Sequence, residues 1–193
     1  FLRKRLTFDK YEELFSAKRV LDLGCGNGAV AAFLAKQGYE VCGIDLSAPA
    51  IEFGKKLLEH EKVKAELTVG NAAALPYKDG FFDVTVSYAV IDHLEPEAGK
   101  KAIHEVYRTL RGGGLFFLTL ADTRINKFGE GKKVAHNTYL LEGDWYEAGA
   151  VQHYFDEEEI KAIIPLVFAA SIVKCKFISV RFFSIDVQSF FEI

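Results

Sequence analysis

One stretch constrains this chain more than any other: Val20-Leu21-Asp22-Leu23-Gly24-Cys25-Gly26-Asn27-Gly28-Ala29, a buried strand that turns through glycines directly into a helix. Glycine admits positive φ and puts no Cβ between main chain and ligand. The free N–H groups of the helix start can meet an anionic end. Seventeen residues after Gly28, Asp45 closes a second apolar run, where a carboxylate can accept hydrogen bonds from both hydroxyls of a ribose. Together these features point to a nucleoside-containing cofactor. Gly24, Gly26 and Ala29 also fit the G-x-G-x-x-G/A fingerprint of dinucleotide sites, which leaves a nicotinamide cofactor open. Asp22 argues against that option, because a buried carboxylate just below the loop repels a pyrophosphate and suits a cationic amino group.

From residue 19 onward, short apolar runs alternate with amphipathic stretches, the pattern of a sheet covered by helices on both faces. The expected strands are 19–23, 40–45, 65–69, 82–87 and 115–120. Between them lie a helix over 29–37 ended by Gly38, a helix capped by Ser47 that runs to about His60, and a helix over 95–110 stopped by Gly112 to Gly114. Asp156 and Glu159 form a capping box for a further helix, held by Ile160, Ile163 and Ile164 until Pro165. Residues 172–180 and 184–191 read as two final strands. Residues 1–18 are an amphipathic lead-in, and 121–155 hold a long substrate-side connection with a hairpin in which 138–141 and 151–155 flank a polar turn. With no linker or repeat, a single domain over 1–193 is expected.

Half of the residues are hydrophobic and the net charge is 24 − 27 = −3, with both signs scattered, so no field collects nucleic acid or anionic lipid. The longest uncharged apolar stretch, 162–173, has 12 residues and contains Pro165, short of the ~20 of a membrane span. Cys25, Cys42 and Cys175 show no paired spacing, which indicates a reducing compartment and no metal site. A soluble, cytoplasmic protein is expected. Met is absent even at position 1, so the true start lies out of view.

Five segments in order resemble the class I S-adenosylmethionine-dependent methyltransferases of the small-molecule type, over about residues 19–165. They are Val20 to Gly28; Val41-Cys42-Gly43-Ile44-Asp45-Leu46-Ser47; Gly70-Asn71-Ala72-Ala73-Ala74-Leu75-Pro76-Tyr77 with Phe81-Phe82-Asp83-Val84; Ser87-Tyr88-Ala89-Val90-Ile91-Asp92-His93-Leu94; and Glu105 to Gly114. The resemblance implies a doubly wound, Rossmann-like α/β sheet of seven strands in the order 3-2-1-4-5-7-6, the last antiparallel. It implies transfer of a methyl group from S-adenosylmethionine to a small-molecule acceptor by in-line displacement, with S-adenosylhomocysteine as product. By the same resemblance the backbone of Gly24, Cys25, Gly26, Asn27 and Gly28 lies against the methionine moiety and Asp22 faces its amino group. Asp45 takes the ribose hydroxyls, Leu46 packs on the adenine, and Asn71 and Ala72 read the adenine edge. The family more often has Asp at position 71, but an Asn carbonyl also accepts from the adenine amino group. Ser87 and Tyr88 line the methionine side.

A general base is optional for this chemistry; His93 and His153 are the candidates, since His exchanges a proton near neutral pH. Tyr11, Tyr88, Trp145 and Tyr154 are candidate substrate contacts by position. The Cys25 thiol reads as packing, and Lys132 with Lys133 as a solvated loop. No [Asp/Asn]-Pro-Pro-aromatic tetrad follows the fourth strand, which speaks against nucleic-acid methylation. Two other readings stay open: a nicotinamide-dependent oxidoreductase, and a non-catalytic S-adenosylmethionine-binding regulatory module. Oligomeric state is not legible.

Overall fold

The structure is a computed structural model that describes residues 17–125, 127–143, 148–160 and 162. The expected lead-in up to residue 16, Ile163 to Pro165 and the two final strands lie outside the described residues.

Five parallel strands form the main sheet in the order β3-β2-β1-β4-β5: β1 (Arg19–Leu23), β2 (Glu40–Asp45), β3 (Glu66–Val69), β4 (Phe82–Ser87) and β5 (Leu110–Leu118). Successive side chains alternate between two cores, as a sheet buried on both faces requires. Val20, Val84, Val86, Leu115 and Phe117 face α1 (Ala29–Lys36) and α2 (Ala48–Glu61), meeting Ala31, Leu34, Ile51 and Leu58. Leu21, Leu23, Phe82, Phe116 and Leu118 face α3 (Pro96–Thr109), meeting Ala102, Ile103 and Val106. None of the described helices is long and apolar enough to cross a membrane.

Local chemistry sets most of the boundaries. The Ser47 hydroxyl accepts the Ala50 N–H at 3.3 Å to start α2, and Gly38 leaves α1 at φ +92°. The capping box forms as expected: Asp156 N–H donates to Glu159 Oε2 and Glu159 N–H to Asp156 Oδ1, each at 2.9 Å.

Two expectations are corrected. The three glycines do not lie between helix and strand: α3 ends at Thr109, whose hydroxyl turns back on the Glu105 carbonyl at 2.8 Å, and β5 starts at once with Leu110 opposite Phe82. The glycines sit inside the strand at a register shift, where a Cβ on Gly114 would lie 3.0 Å from the Arg111 and Asp83 carbonyls. Lys132 and Lys133 do not form a loop but belong to β6 (Lys132–Ala135), paired antiparallel with β7 (Thr138–Leu140), which pairs in turn with β8 (Val151–His153). The expected hairpin is thus part of a separate three-stranded sheet. It is tied to the exit of β5 by the Phe155 N–H on the Ala121 carbonyl at 2.8 Å.

Candidate functional site

The carboxyl ends of β1, β2 and β4 meet at the glycine loop, as expected for a ligand crevice in a parallel sheet. The Gly24 and Cys25 N–H groups both donate to the Ile44 carbonyl, at 2.8 and 3.0 Å, which bends the loop over β2. Gly24 (φ +65°) carries the Val90 side chain against its α-carbon, where a Cβ would stand 2.4 Å from Val90 Cγ2. At Gly26 (φ +50°) a Cβ would meet nothing within 4 Å, so this bare backbone faces open space. Asp45 joins the loop to β2: Oδ2 accepts the Gly26 N–H and Oδ1 the Ser47 N–H, both at 2.8 Å.

Asp22 lies below the loop, 2% exposed, and its Oδ2 has no hydrogen-bond partner among the described residues. Burial lifts its pKa to about 7, against the pull of the Ala31 N–H, and the Asp45 charge adds to the rise. Cys25 is a buried thiol pushed up to about 12 by burial and by the charges of Asp22 and Asp45. Its sulfur packs where a Cβ on Gly43 would stand, at 2.9 Å. Asn27 Oδ1 accepts the Ala29 N–H at 3.3 Å.

At the other end of the crevice, Leu46 is 76% exposed, and Val69, opposite Asp45 in the ladder, is 48% exposed. Asn71 Oδ1 accepts the Ala73 N–H at 2.8 Å, an Asx turn that also presents Ala72. A clamp that spacing alone did not reveal holds this loop. Arg108 donates to the carbonyls of Tyr77 (2.7 Å) and Leu75 (3.0 Å) and pairs with Glu105, whose Oε2 accepts the Leu75 N–H at 2.7 Å.

Beyond β4, Ser87 is buried with its hydroxyl unpartnered among the described residues, and Tyr88 is half-buried. Ala89 takes φ +53° and donates its N–H to Thr119 Oγ1 at 2.7 Å. The chain then makes a single 3-10 turn over Ile91–His93. Because a carbonyl only accepts, His93 Nδ1 carries a proton and donates to Val151 O at 3.0 Å. His153 is buried with both ring nitrogens engaged, Nδ1 by Thr138 Oγ1 at 2.8 Å and Nε2 by Glu159 Oε1 at 3.2 Å. Burial holds its pKa below the ordinary value against the pull of Glu159, and the Thr138 hydroxyl that meets Nδ1 donates its own proton to the His136 carbonyl at 2.7 Å. This geometry leaves His153 no free nitrogen for a substrate.

Tyr154 is 2% exposed and packs edge-on against Phe128 and Tyr139, with its hydroxyl donating to the Lys127 carbonyl at 3.0 Å. It belongs to the core of the small sheet, with Ala121 and Tyr139. Tyr11 and Trp145 lie outside the described residues. A cleft of about 140 Å³ opens between α3 and β8, walled by Ile91, Leu94, Ile103, His153 and Phe155. Donor atoms of His136, Asp156 and Glu159 gather within 4.8 Å of one another, but both carboxylates already serve the capping box.

Comparison with known proteins decides the kind of domain this is. The sequence pattern of the methyltransferase domain family matches residues 20–114, from β1 into the glycines of β5. Those residues are a class I S-adenosylmethionine-dependent methyltransferase domain. A demethylmenaquinone methyltransferase of Thermus thermophilus is 35% identical over 100 residues, 50% of this chain and 44% of that protein. Norajmaline N-methyltransferase of Rauvolfia serpentina is 32% identical over 120 residues, 60% of this chain and 40% of that protein. The crystal structure of a SAM-dependent methyltransferase from Methanosarcina mazei superposes with a TM-score of 0.63 at 25% identity, covering 79% of this chain and 82% of that one. The chain spans about half the length of the curated relatives it matches.

The matched methyltransferase domain includes the glycine loop, Asp45, the Asn71 turn and the Tyr88–His93 segment, and it stops before the small antiparallel sheet. Two roles escaped the sequence reading. Asp45 is a tether of the loop as well as a candidate ligand group, and Glu105 with Arg108 is a loop clamp. The second had a signal, an acid and a base spaced i, i+3 on one helix.

Proposed function

We propose that this protein transfers a methyl group from S-adenosylmethionine to a small-molecule acceptor by in-line displacement, in the cytoplasm and within one domain whose sheet follows the order 3-2-1-4-5-7-6. The observation that carries the reading is the buried Oδ2 of Asp22, unpartnered among the described residues, beneath a loop whose Gly26 faces open space. A lone buried carboxylate needs a donor, and an ammonium group supplies both donors and compensating charge. A pyrophosphate would add repulsion at the same place, which sets the nicotinamide reading behind this one.

Bound S-adenosylmethionine supplies a sulfonium methyl already activated toward nucleophiles. The protein has to hold, orient and exclude water. In this reading Asp22 receives the amino group, and the backbone of Gly24, Cys25, Gly26, Asn27 and Gly28 lines the methionine moiety. Asp45 accepts the ribose hydroxyls with the lone pairs left over from Gly26 and Ser47. The exposed Leu46 offers the adenine a flat apolar face, the Asn71–Ala72 turn borders its edge, and Ser87 and Tyr88 close the methionine side. Neither His93 nor His153 is assigned a proton transfer, because the nitrogens seen to make contacts are held by the protein. The apolar cleft supports a small acceptor: Ile91 on its wall directly follows Val90, which rests on Gly24.

Calorimetric titration with S-adenosylhomocysteine and with NAD(H), followed by mass spectrometry of acceptor mixtures incubated with S-adenosylmethionine, tests the reading. Binding of the first ligand and mass gains of one methyl group are expected. Binding of NAD(H) alone would replace methyl transfer with hydride transfer, and binding without any methylated product would favour the regulatory module.

A further inference from the structure

The third strand of the small sheet is bonded to the segment that follows β4. Gln152 on β8 is buried, and its side-chain amide donates to Asp92 Oδ2 at 3.2 Å, with further contacts to the Asp92 and His153 carbonyls at 3.4 and 3.0 Å. Next to it the Val151 carbonyl takes the His93 Nδ1–H. Asp92 is 2% exposed and has an unpartnered Oδ1 among the described residues. The groups that bear on it come from three elements: His93 on its own turn, Gln152 on β8, and the Ala121 N–H at the exit of β5. Two residues upstream stands Val90, packed on the α-carbon of Gly24, and Ala89 before it is pinned to Thr119 in a left-handed conformation.

We infer that Gln152 and Asp92 form a positioning pair through which the β6–β8 sheet sets the 88–94 wall, and with it the affinity of the crevice for S-adenosylmethionine, without touching that ligand. The inference rests on the proposed function. The physical reason is that the turn has few anchors of its own. It is three residues long, its N-cap Val90 has no side-chain cap, and Ala89 holds a conformation that costs an L-residue energy. Such a segment keeps one geometry only when its surroundings impose it, and here Ile91 packs on α3 while the polar contacts come from β8 and from residues just past β5. Gln152 adds a side-chain donor to a buried carboxyl otherwise met by His93 and by the backbone N–H groups of Asp92 and Ala121, so losing its amide leaves that carboxyl short and loosens the turn.

The test is the affinity of the whole protein for S-adenosylhomocysteine, measured by calorimetry at pH 8 and pH 6 in Gln152→Glu and in the unaltered protein. Two facing buried carboxyls share a proton at low pH and repel once high pH drives the second to ionise. The variant is expected to bind at least tenfold more weakly than the unaltered protein at pH 8 and within threefold of it at pH 6. Comparison at each pH cancels the titration of Asp22, which both proteins share. Equal affinity at pH 8 overturns the pairing, and so does an equal loss at both pH values, which is what a purely structural side chain gives. If Gln152→Glu does not fold at pH 8, the same affinity is read in a double-mutant cycle of Asp92→Asn and Gln152→Leu. Non-additive losses support the pair and additive ones overturn it. An unaltered protein that fails to bind removes the cofactor reading and this inference together; binding undisturbed by the variant removes this inference alone.

Discussion

The Asp45 carboxylate and the Gly26 amide are 2.8 Å apart, joined by a hydrogen bond that runs from the glycine loop back to the end of β2. Its other oxygen holds Ser47 N–H at the same distance, so one side chain fixes both the ligand loop and the residue that caps α2. Asp45→Ala is therefore expected to weaken S-adenosylhomocysteine binding by about 1.5 to 3 kcal/mol through lost charge-assisted bonds, and to lower the melting temperature as well. Calorimetry and thermal unfolding read the two effects; unchanged affinity would remove Asp45 from the site.

Gly24 and Gly26 both take positive φ but face different surroundings, and substitution at each should fail in a different way. Gly26→Val has room, so it should fold with a backbone penalty of roughly 1 to 2 kcal/mol while its side chain fills the space the ligand needs. Gly24→Val meets Val90 at 2.4 Å from its first carbon, and should lose stability more heavily. Melting curves with and without S-adenosylhomocysteine distinguish them: a folded Gly26→Val that still shifts on ligand addition contradicts the assignment.

Asp22 gives a pH dependence whose sign is fixed. Its folded pKa stands at about 7, above the unfolded 3.8, so between these values the folded state holds the extra proton and stability falls as pH rises. A cationic ligand group reverses the preference by favouring the carboxylate, so affinity should climb from pH 6 to pH 8. Asp22→Asn should flatten that climb, bind more weakly at pH 8, and raise the stability of the ligand-free protein there. Calorimetry across the range checks the first two, and urea unfolding the third.

The Arg108 clamp should behave as a stability element with a functional echo. Its guanidinium spans two carbonyls and two carboxylates, an arrangement that a lysine cannot reproduce. Arg108→Lys is expected to cost about 2 to 3 kcal/mol, the scale of a hydrogen bond to a charged group with its partners left short. It should also loosen the 70–81 loop, which hydrogen exchange at Ala73 and Leu75 would report. Stability unchanged in urea would show the fork to be dispensable.

Strands β1, β2 and β4 were legible to the residue because each is a short run rich in apolar residues and largely buried on both faces. β6 was not, since all four of its residues are exposed and among the described strands it pairs with β7 alone. The start of β5 was misplaced because three glycines look like a break between helix and strand, whereas here they lie inside the strand, Gly114 at a point where a Cβ would crowd two carbonyls. In the site, the glycines and acids were visible as types at a spacing. What each acid already holds was not, because Asp45 meets Gly26, and Asp92 meets Gln152, across distances in sequence that no local pattern records.

The antiparallel sheet of β6, β7 and β8 has a consequence for how such a protein diversifies. It lies wholly past residues 20–114, which match the methyltransferase domain family, and few of the described bonds cross from it to the turn after β4. A lineage could therefore exchange or reshape this appendage to select a new acceptor while inheriting the nucleoside-handling half unaltered, provided the replacement still presents a donor to the carboxyl at position 92.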